Sequence, residues 1–575
     1  MSVGVDSGYR SDIDGLRTIA VLSVIIFHFG YLPYGYLGVD IFFVISGYLI
    51  TKIIDRDIRN NRFSLRYFYL RRVRRILPLV LVVTIIAMVI GFFVMLPDDF
   101  ENLVQSVVAT NFFSNNILQY ITTGNYWDVV NEYKPLMHTW SLGVEEQFYV
   151  LYPLIFLLLG KKEKLRKFVL PTIILFTLIS IVLFISPVFG DASKFYLLPF
   201  RFFEIAIGGI GALLFKDKLI QHKLTPLSIL LLLVLFIWDI NWLNDNLRLI
   251  LTVFLTLFLL LSANEENKVL SNRIMVGIGK ISFSLYLWHQ LVLAYARYTL
   301  IGEINISHII IMLLIIFMLS IISYNYVEQP FRNKVKIKTP KLIWILSIGF
   351  AFTTVSSLAI YIQAGVVRDV PELEIVKYNV HRGIHAEYND AIHERDREFS
   401  DTDNIKVFVV GNSFARDWVN VLLESKYKDS IEITYTTEIT NDPLDIERLE
   451  EAEYIFFSEL DKAKFDKYKA KYDIDESKVW NVGTKNFGKN NGIHYSKRKT
   501  EGYFDQRTIM EEGYLEKNQK LKSEWGDRYI DLISMVFYDD YKVPVFTPDG
   551  KFISQDCRHL TKAGAKFFGS LISQE

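Results

Sequence analysis

The feature that most limits what this chain can fold into is a succession of apolar runs ending near Gly365. A membrane-crossing helix needs about 20 mostly apolar residues, and backbone inside a bilayer must satisfy its own hydrogen bonds. Eleven runs meet or approach that length: 13–33, 36–54, 76–97, 144–160, 168–188, 196–215, 226–241, 247–263, 281–300, 306–326 and 341–364. The runs 226–241 and 247–263 are the shortest. No cleavable signal pattern precedes the first run, which leads directly into more of them. Beyond Gly365 charges are frequent and no run is long enough to span.

The intervening loops orient the spans. "RDIRNNRFSLRYFYLRRVRRI" (56–76), "KKEKLRK" (161–167), "KDKLIQHK" (216–223), "NKVLSNR" (267–273) and "RNKVKIKTPK" (332–341) are basic. They fall on every second loop. The alternate loops, such as "DDFENL", "NWLNDN" and "GEIN", are acidic or neutral. Positive-inside bias predicts a cytoplasmic N-terminus, and eleven crossings put everything after Gly365 outside. Lys+Arg and Asp+Glu are equal at 63 each, so no net field attracts nucleic acid or any other partner. Cys557 is the only cysteine, which rules out an intrachain disulfide or a thiolate metal cluster.

Ionisable residues inside the apolar runs point to function. In "LRTIAVLSVIIFHFG" (16–30), Arg17 and His28 are eleven residues apart. On a helix that is about three turns, roughly 16 Å, with an offset of about 20°, so both lie on one stripe. Asp14 is three residues before Arg17 and can pair with it. "MHTWSLGVEEQFYVLYP" places His138, Glu145, Glu146 and Gln147 at the outer entrance of a span. "SFSLYLWHQLV" carries His289, "RFFEIAIGGIGALL" carries Arg201 and Glu204, "YNYVEQPFR" carries Glu328, and "YLGVDIFFVISGYLIT" carries Asp40 and Ser46. Each can be read alone as a polar contact between packed helices. As a set they predict a shared polar cavity, because an intramembrane charge is costly and faces a partner or a cavity. Gly208, Gly209 and Gly211 predict close helix approach. Arg71, Arg72, Arg74 and Arg75, just before a span, signal topology or hold phosphates through guanidinium forks.

Arg17 and His28 with ten residues between them, "GVDIFFVISGYLIT", "RRVRRILP", "HTWSLGVEEQFYVLYP", "SLYLWHQ" and "NYVEQPFR" together resemble the acyltransferase family 3 membrane proteins, over about residues 9–332. The resemblance implies transfer of an acyl group, commonly acetyl, from cytoplasmic acyl-coenzyme A to a carbohydrate on the far side. It implies that His28 and Arg17 are essential, that Arg72 and Arg75 contact the donor, and that Glu328 is the family's glutamate in the tenth span. Asp14, Asp40, His138, Glu145, Glu146 and His289 are further cavity candidates. The chemistry fits these residue types. A thioester is already activated and needs no metal or permanently bound cofactor. The attacking hydroxyl needs a base, which an imidazole supplies near neutral pH, and Arg17 can steady developing negative charge.

From Lys406 onward, short apolar runs alternate with amphipathic stretches, the rhythm of an α/β domain with a mainly parallel sheet. "VFVVGNSFARDW" reads as strand, tight turn and helix, with Ser413 at the helix N-terminus, where free N–H groups can bind an oxyanion. "SQDCRHLTKAGA" places Asp556 three residues before His559, so Ser413, His559 and Asp556 can act as nucleophile, base and orienter. The alternative is a strand-end serine and a capping aspartate. "GNS…DxxHLTxxGA" resembles the SGNH hydrolase-like domains often fused behind acyltransferase family 3 domains, over about 405–573. Phe414 stands where that pattern has histidine, "VGTKNFG" matches its asparagine block only loosely, and its outer paired cysteines are missing.

The expected architecture is a multi-pass α-helical membrane domain of about ten core spans (1–335), a linking transmembrane helix (336–365), a periplasmic linker (366–404) and an α/β SGNH-like, flavodoxin-like three-layer extracytoplasmic domain (405–575). The expected function is O-acyl transfer from acetyl-coenzyme A, across a bacterial inner membrane, to a cell-envelope polysaccharide such as lipopolysaccharide O-antigen. The expected partners are acyl-coenzyme A, the lipid-linked or surface polysaccharide and membrane lipid, with no nucleic acid. Peptidoglycan is the other acceptor, and a transporter with a non-catalytic outer binding domain is the other class of protein.

Overall fold

The computed structural model describes residues 9–122, 131–215, 222–240, 243–300, 304–377, 384–537 and 542–573. Most of the basic loop 216–223, residues 241–242 of "NWLNDN", Gly302 and Glu303 of "GEIN", and 378–383 of the linker lie outside these residues.

Each of the eleven apolar runs is a helix: α1 (Ser11–His28), α2 (Gly38–Arg59), α3 (Leu65–Val94), α4 (Thr139–Ile155), α5 (Val169–Ile185), α6 (Leu198–Phe215), α7 (Thr225–Ile237), α8 (Asp245–Ser262), α9 (Ser282–Thr299), α10 (Ile306–Ser323) and α11 (Thr339–Ile362). Polar caps set several starts. The Asn244 side chain accepts from Leu247 N–H, and that of Asn305 from His308 N–H, each satisfying an orphan donor of a helix first turn. α7 stops where buried Arg248 donates to the carbonyls of Leu235 (2.7 Å) and Trp238 (2.8 Å), a cation placed on a helix C-terminus.

Among the described residues, eight helical stretches are long and apolar enough to cross a membrane: Gly35–Arg59, Leu65–Val94, Thr139–Gly160, Glu163–Ile185, Asp191–Phe215, Asp245–Ser262, Ile306–Arg332 and Thr339–Ile362. The remaining three of the eleven are the polar or short ones. α1 carries Asp12, Asp14 and Arg17, α7 has 13 residues, and α9 carries serines, His289, Gln290 and Arg297.

Glycine governs the tightest packing. A methyl group on Gly47 would strike the Ile205 carbonyl, and one on Gly208 would strike that of Val44, so α2 and α6 meet backbone to backbone. The glycines expected to allow close approach do so.

The C-terminal region holds a five-stranded parallel sheet. Its strands are β1 (Ile405–Val410), β2 (Ile431–Thr436), β3 (Tyr454–Ser458), β4 (Val479–Val482) and β6 (Tyr529–Ile530), in the order β2-β1-β3-β4-β6. An antiparallel pair, β5 (Arg507–Ile509) with β7 (Lys542–Pro544), lies apart. Period-two alternation explains the two faces. Val407 and Val409 join one apolar cluster with Trp418 and Phe568, from helices α12 (Ser413–Leu423) and α13 (Lys562–Leu571). Phe408 and Val410 join another with Phe465 and Trp525.

The two regions touch through a fixed seat. A left-handed turn at Ala364 and Gly365 ends α11, with Gly365 N–H donating to the Ile360 carbonyl (3.0 Å). The short helix Gly492–Tyr495 rests on the membrane region. Gly492 lies against Asp99 and Tyr298, Ile493 packs on the cluster containing Tyr295 and Tyr298, and Arg498 donates to the Phe93 carbonyl (3.1 Å).

Candidate functional site

Two cavities meet at one end of the helical bundle. The outer one, of about 280 Å³, is lined by Arg17, Arg71, Arg75, Lys280 and Arg332, with Ser282 and Phe283. The inner one, of about 80 Å³, shares Arg17, Arg75, Ser282 and Phe283 and adds Ser46, Ser141, Glu145 and Tyr286. A mouth of five cationic side chains thus shares Arg17 and Arg75 with a smaller chamber that is half apolar, with Phe42, Phe43, Phe283 and Leu287, and otherwise carries hydroxyls and the Glu145 carboxylate. Such an array attracts a polyanion and holds phosphates.

Buried acids fix the cations. Arg17 pairs with Asp14 (3.0 Å), which also accepts from the Tyr9 hydroxyl (2.6 Å). Arg332 pairs with Glu328, whose other oxygen accepts from Ser284. A π-helical turn, Tyr324–Glu328, carries that glutamate, and such turns recur at functional sites. Helical phase sorts the arginine cluster. Arg71 and Arg75, four residues apart, share the mouth face. Arg72 instead lies over the Tyr149 ring, 4.4 Å from its centroid. Arg74 is buried and ties down the carbonyls of Phe331 and Ile337, both at 2.9 Å.

Beyond the inner chamber stand three imidazoles. His289 lies 5.3 Å from His28 and 5.5 Å from His138, ring centroid to ring centroid. Tyr286 joins them to the chamber, since its hydroxyl donates to the His138 carbonyl (2.9 Å) and bonds Ser141 (2.6 Å). Glu145, expected at an outer entrance, lines the chamber with Arg17 and Arg75 and accepts from Ser46 and Tyr149. Glu146 keeps one buried oxygen without a hydrogen bond. Asp40 stands elsewhere, closed into a buried cluster with Arg201 (2.9 Å), which also holds Glu204 (2.8 Å). The polar residues expected to share one cavity therefore divide. One group lies around the mouth, the chamber and Tyr286 with its histidine neighbours, and another cross-links α2 and α6.

The outer residues converge as well. Asp556 bonds the His559 ring through Nδ1 and accepts from the His559 and Arg558 backbone N–H groups at 2.8 and 2.9 Å. Burial lowers the His559 pKa below 6.5, against the raising effect of Asp556. Ser413 opens α12 after a turn in which Gly411 has φ +140°, and Asn412 caps the helix through Phe414 N–H. The Ser413 hydroxyl is buried and makes no hydrogen bond. The Asp556–His559 pair is thus formed, and the Ser413 hydroxyl is not bonded to it. Phe414 packs its ring edge-on to His559 at 6.0 Å.

Sequence reasoning missed the ion pair beneath this site. Lys485 and Asp417 are both almost fully buried, 2.7 Å apart, with the ammonium 3.7 Å from the centroid of Phe414. Asp417 also accepts from Leu560 N–H (3.2 Å), the residue after His559. The available signal was Asp417 one helical turn after Ser413. Asn486, the loose match to an asparagine block, is occupied internally, accepting from the N–H groups of Gly488 and Glu511, both at 2.9 Å. Lys280, Ser282, Tyr286 and Arg332 were also missed as cavity residues.

A bundle of apolar helices with guanidinium groups at a mouth and imidazoles in its interior defines a membrane protein with a polar internal site. The chain belongs to acyltransferase family 3, whose family model, described as an acyltransferase domain, matches residues 10–325. It is 33% identical over 354 residues to a candidate O-acetyltransferase of Staphylococcus aureus strain MSSA476, covering 57% of this chain and 58% of the relative. It is 32% identical over 354 residues, with the same coverage, to the O-acetyltransferase OatA of Staphylococcus aureus strain NCTC 8325. The chain thus aligns with little more than half the length of these relatives. No solved structure matches it.

Proposed function

We propose that this chain is a membrane O-acyltransferase that moves acetyl from acetyl-coenzyme A on the cytoplasmic side to hydroxyl groups of a cell-envelope polysaccharide outside a bacterial cytoplasmic membrane. The observation that carries the reading is a five-cation mouth adjoining a chamber that holds Glu145 and Tyr286, with His138 and His289 packed on Tyr286 and His28 on His289. Phosphates of the donor pair with Arg75, Arg71 and Arg332, and Arg17 steadies the thioester oxygen as negative charge develops. His28 takes the proton of the attacking hydroxyl. Residues 1–335 form the transfer domain, 336–365 the linking helix, 366–404 the linker and 405–575 an SGNH-like outer domain. Eleven crossings with a cytoplasmic N-terminus place that domain outside.

In the outer step Ser413 accepts the acyl group as an ester and passes it to the glycan, with His559 as base and Asp556 as its orienter. Two acceptors fit this class: lipopolysaccharide O-antigen and peptidoglycan. The test is the base-labile acetate on each purified envelope glycan from cells with and without the gene. Loss of acetate from one glycan supports the reading and names the acceptor. Unchanged acetate on every glycan overturns it.

A further inference from the structure

The three imidazoles come from elements far apart in sequence, and no carboxylate or other ion pair orients any of their rings among the described residues. His289 stands in the middle. Its Nδ1 lies 2.6 Å from the Tyr286 carbonyl. A carbonyl only accepts, so Nδ1 carries the proton and Nε2 is left as a lone pair. That Nε2 is buried and bonded to nothing, and so are both ring nitrogens of His138. The two residues are 1% and 2% exposed, so bulk water does not satisfy them. Buried polar atoms normally find partners, and a cluster left bare calls for an explanation. Centroids 5.3 and 5.5 Å apart leave nitrogen-to-nitrogen gaps that a direct bond of about 3 Å or one water can close.

We propose that His289 is a proton-relay residue linking His28 to His138, whose backbone carbonyl accepts from Tyr286 and so fixes it beside the donor chamber. This rests on the acyltransferase reading of the same site. The acceptor O–H bond breaks and its oxygen forms the new bond to the acyl carbon. The C–S bond breaks, and its electron pair stays on sulfur. The proton passes from the hydroxyl to His28, then to His289, then to His138, and finally reaches the departing thiolate as S–H. His289 takes and returns the proton at Nε2, because Nδ1–H stays on the carbonyl. His138, with both nitrogens open, takes it on one and releases it from the other. No further reactant is needed.

The test uses the full-length chain. Membrane vesicles from cells lacking the gene, complemented with each variant, carry the native acceptor and receive labelled acetyl-coenzyme A. His289→Asn retains an N–H for the Tyr286 carbonyl but supplies no base. Transfer is expected to fall about 10²- to 10⁴-fold, the usual span for a lost proton-transfer group, while acetyl-coenzyme A affinity of the purified chain stays within about twofold. In His289→Ala, added imidazole is expected to restore transfer at least about tenfold, a recovery that a merely structural role would not give. A His289→Asn chain that binds donor and transfers at the wild-type rate overturns the relay, as does a loss in His289→Ala that imidazole leaves unchanged. If the wild-type chain itself transfers nothing, the acyltransferase reading falls first. If the wild type transfers, His28→Ala does not and His289→Asn is normal, the relay alone is wrong.

Discussion

The membrane chamber and the outer site both centre on histidine, yet they hold it differently. At the outer site Asp556 and His559 are three residues apart, and one loop supplies both the carboxylate and the backbone donors that aim it. In the membrane, His28, His138 and His289 arrive on separate segments, and their neighbours are rings, carbonyls and, beside His28, the Arg297 guanidinium, with no carboxylate aiming a ring among the described residues. The difference follows from solvent. An aqueous domain can surround a carboxylate with N–H donors at modest cost. A bilayer interior penalises each added charge, so neutral imidazoles and hydroxyls serve there.

The sharpest way to break this comparison is to remove one histidine from each half. His28→Ala is expected to lower acyl transfer by about 10²- to 10⁴-fold in a chain that still inserts and binds acetyl-coenzyme A, measured with labelled donor. Near-normal transfer would make His28 a packing residue. Ser413→Ala and His559→Ala should each keep donor binding and lose acceptor acylation, and the double variant should be no worse than either, because the residues act as one unit. Normal acylation in Ser413→Ala would reduce the outer domain to a holder for the glycan.

Support beneath the outer site gives a stability test. Lys485→Met leaves the Asp417 carboxylate buried and unpaired, which should cost the outer domain about 3–5 kcal/mol. Adding Asp417→Leu should recover much of that in thermal unfolding of the full-length chain. A single variant that melts like wild type would show the pair to be solvated. At the mouth, Arg75→Ala and Arg71→Ala should each weaken acetyl-coenzyme A binding about 10- to 100-fold, and Arg72→Ala less, since Arg72 lies over Tyr149. Equal losses at all three positions would remove that distinction. The smallest effect concerns pH. The base form of His559 persists below 6.5, so the acid limb of the outer step should lie below that value. Asp556→Asn removes the opposing anion and should move the limb further down, and an upward move would count against the assigned pairing.

Much of the helical region was legible because apolar runs of bilayer length leave little choice but helix, and all eleven are helices. The sheet was legible for a similar reason, since runs such as "VFVV" bounded by turn residues read as buried parallel strands. Spacing within one helix was reliable too, as in the Asp14–Arg17 pair. What stayed hidden depends on which helix faces which. Nothing in "YLWHQ" says that His289 meets His28, or that Asp40 turns to Arg201 and Glu204 instead. The choice between Arg71 and Arg72 is one residue, or about 100° of helix, and only packing decides it. Lys485 and Asp417 read as ordinary surface charges until the fold buries them together.

The seat of Gly492–Tyr495 carries its own consequence. It rests on Tyr298, and Tyr298 lies nine residues along α9 from His289, roughly 13 Å of helix. The outer domain is therefore gauged to the same rod that carries the inner histidine, like a stamp bolted to its press. On the proposed function, a glycan is marked at one fixed height above the membrane. Sugars nearest the point of emergence come under the stamp first, and sugars already carried outward pass beyond it. The spacing of acetyl groups along a finished chain would then record how fast that chain moved past the protein.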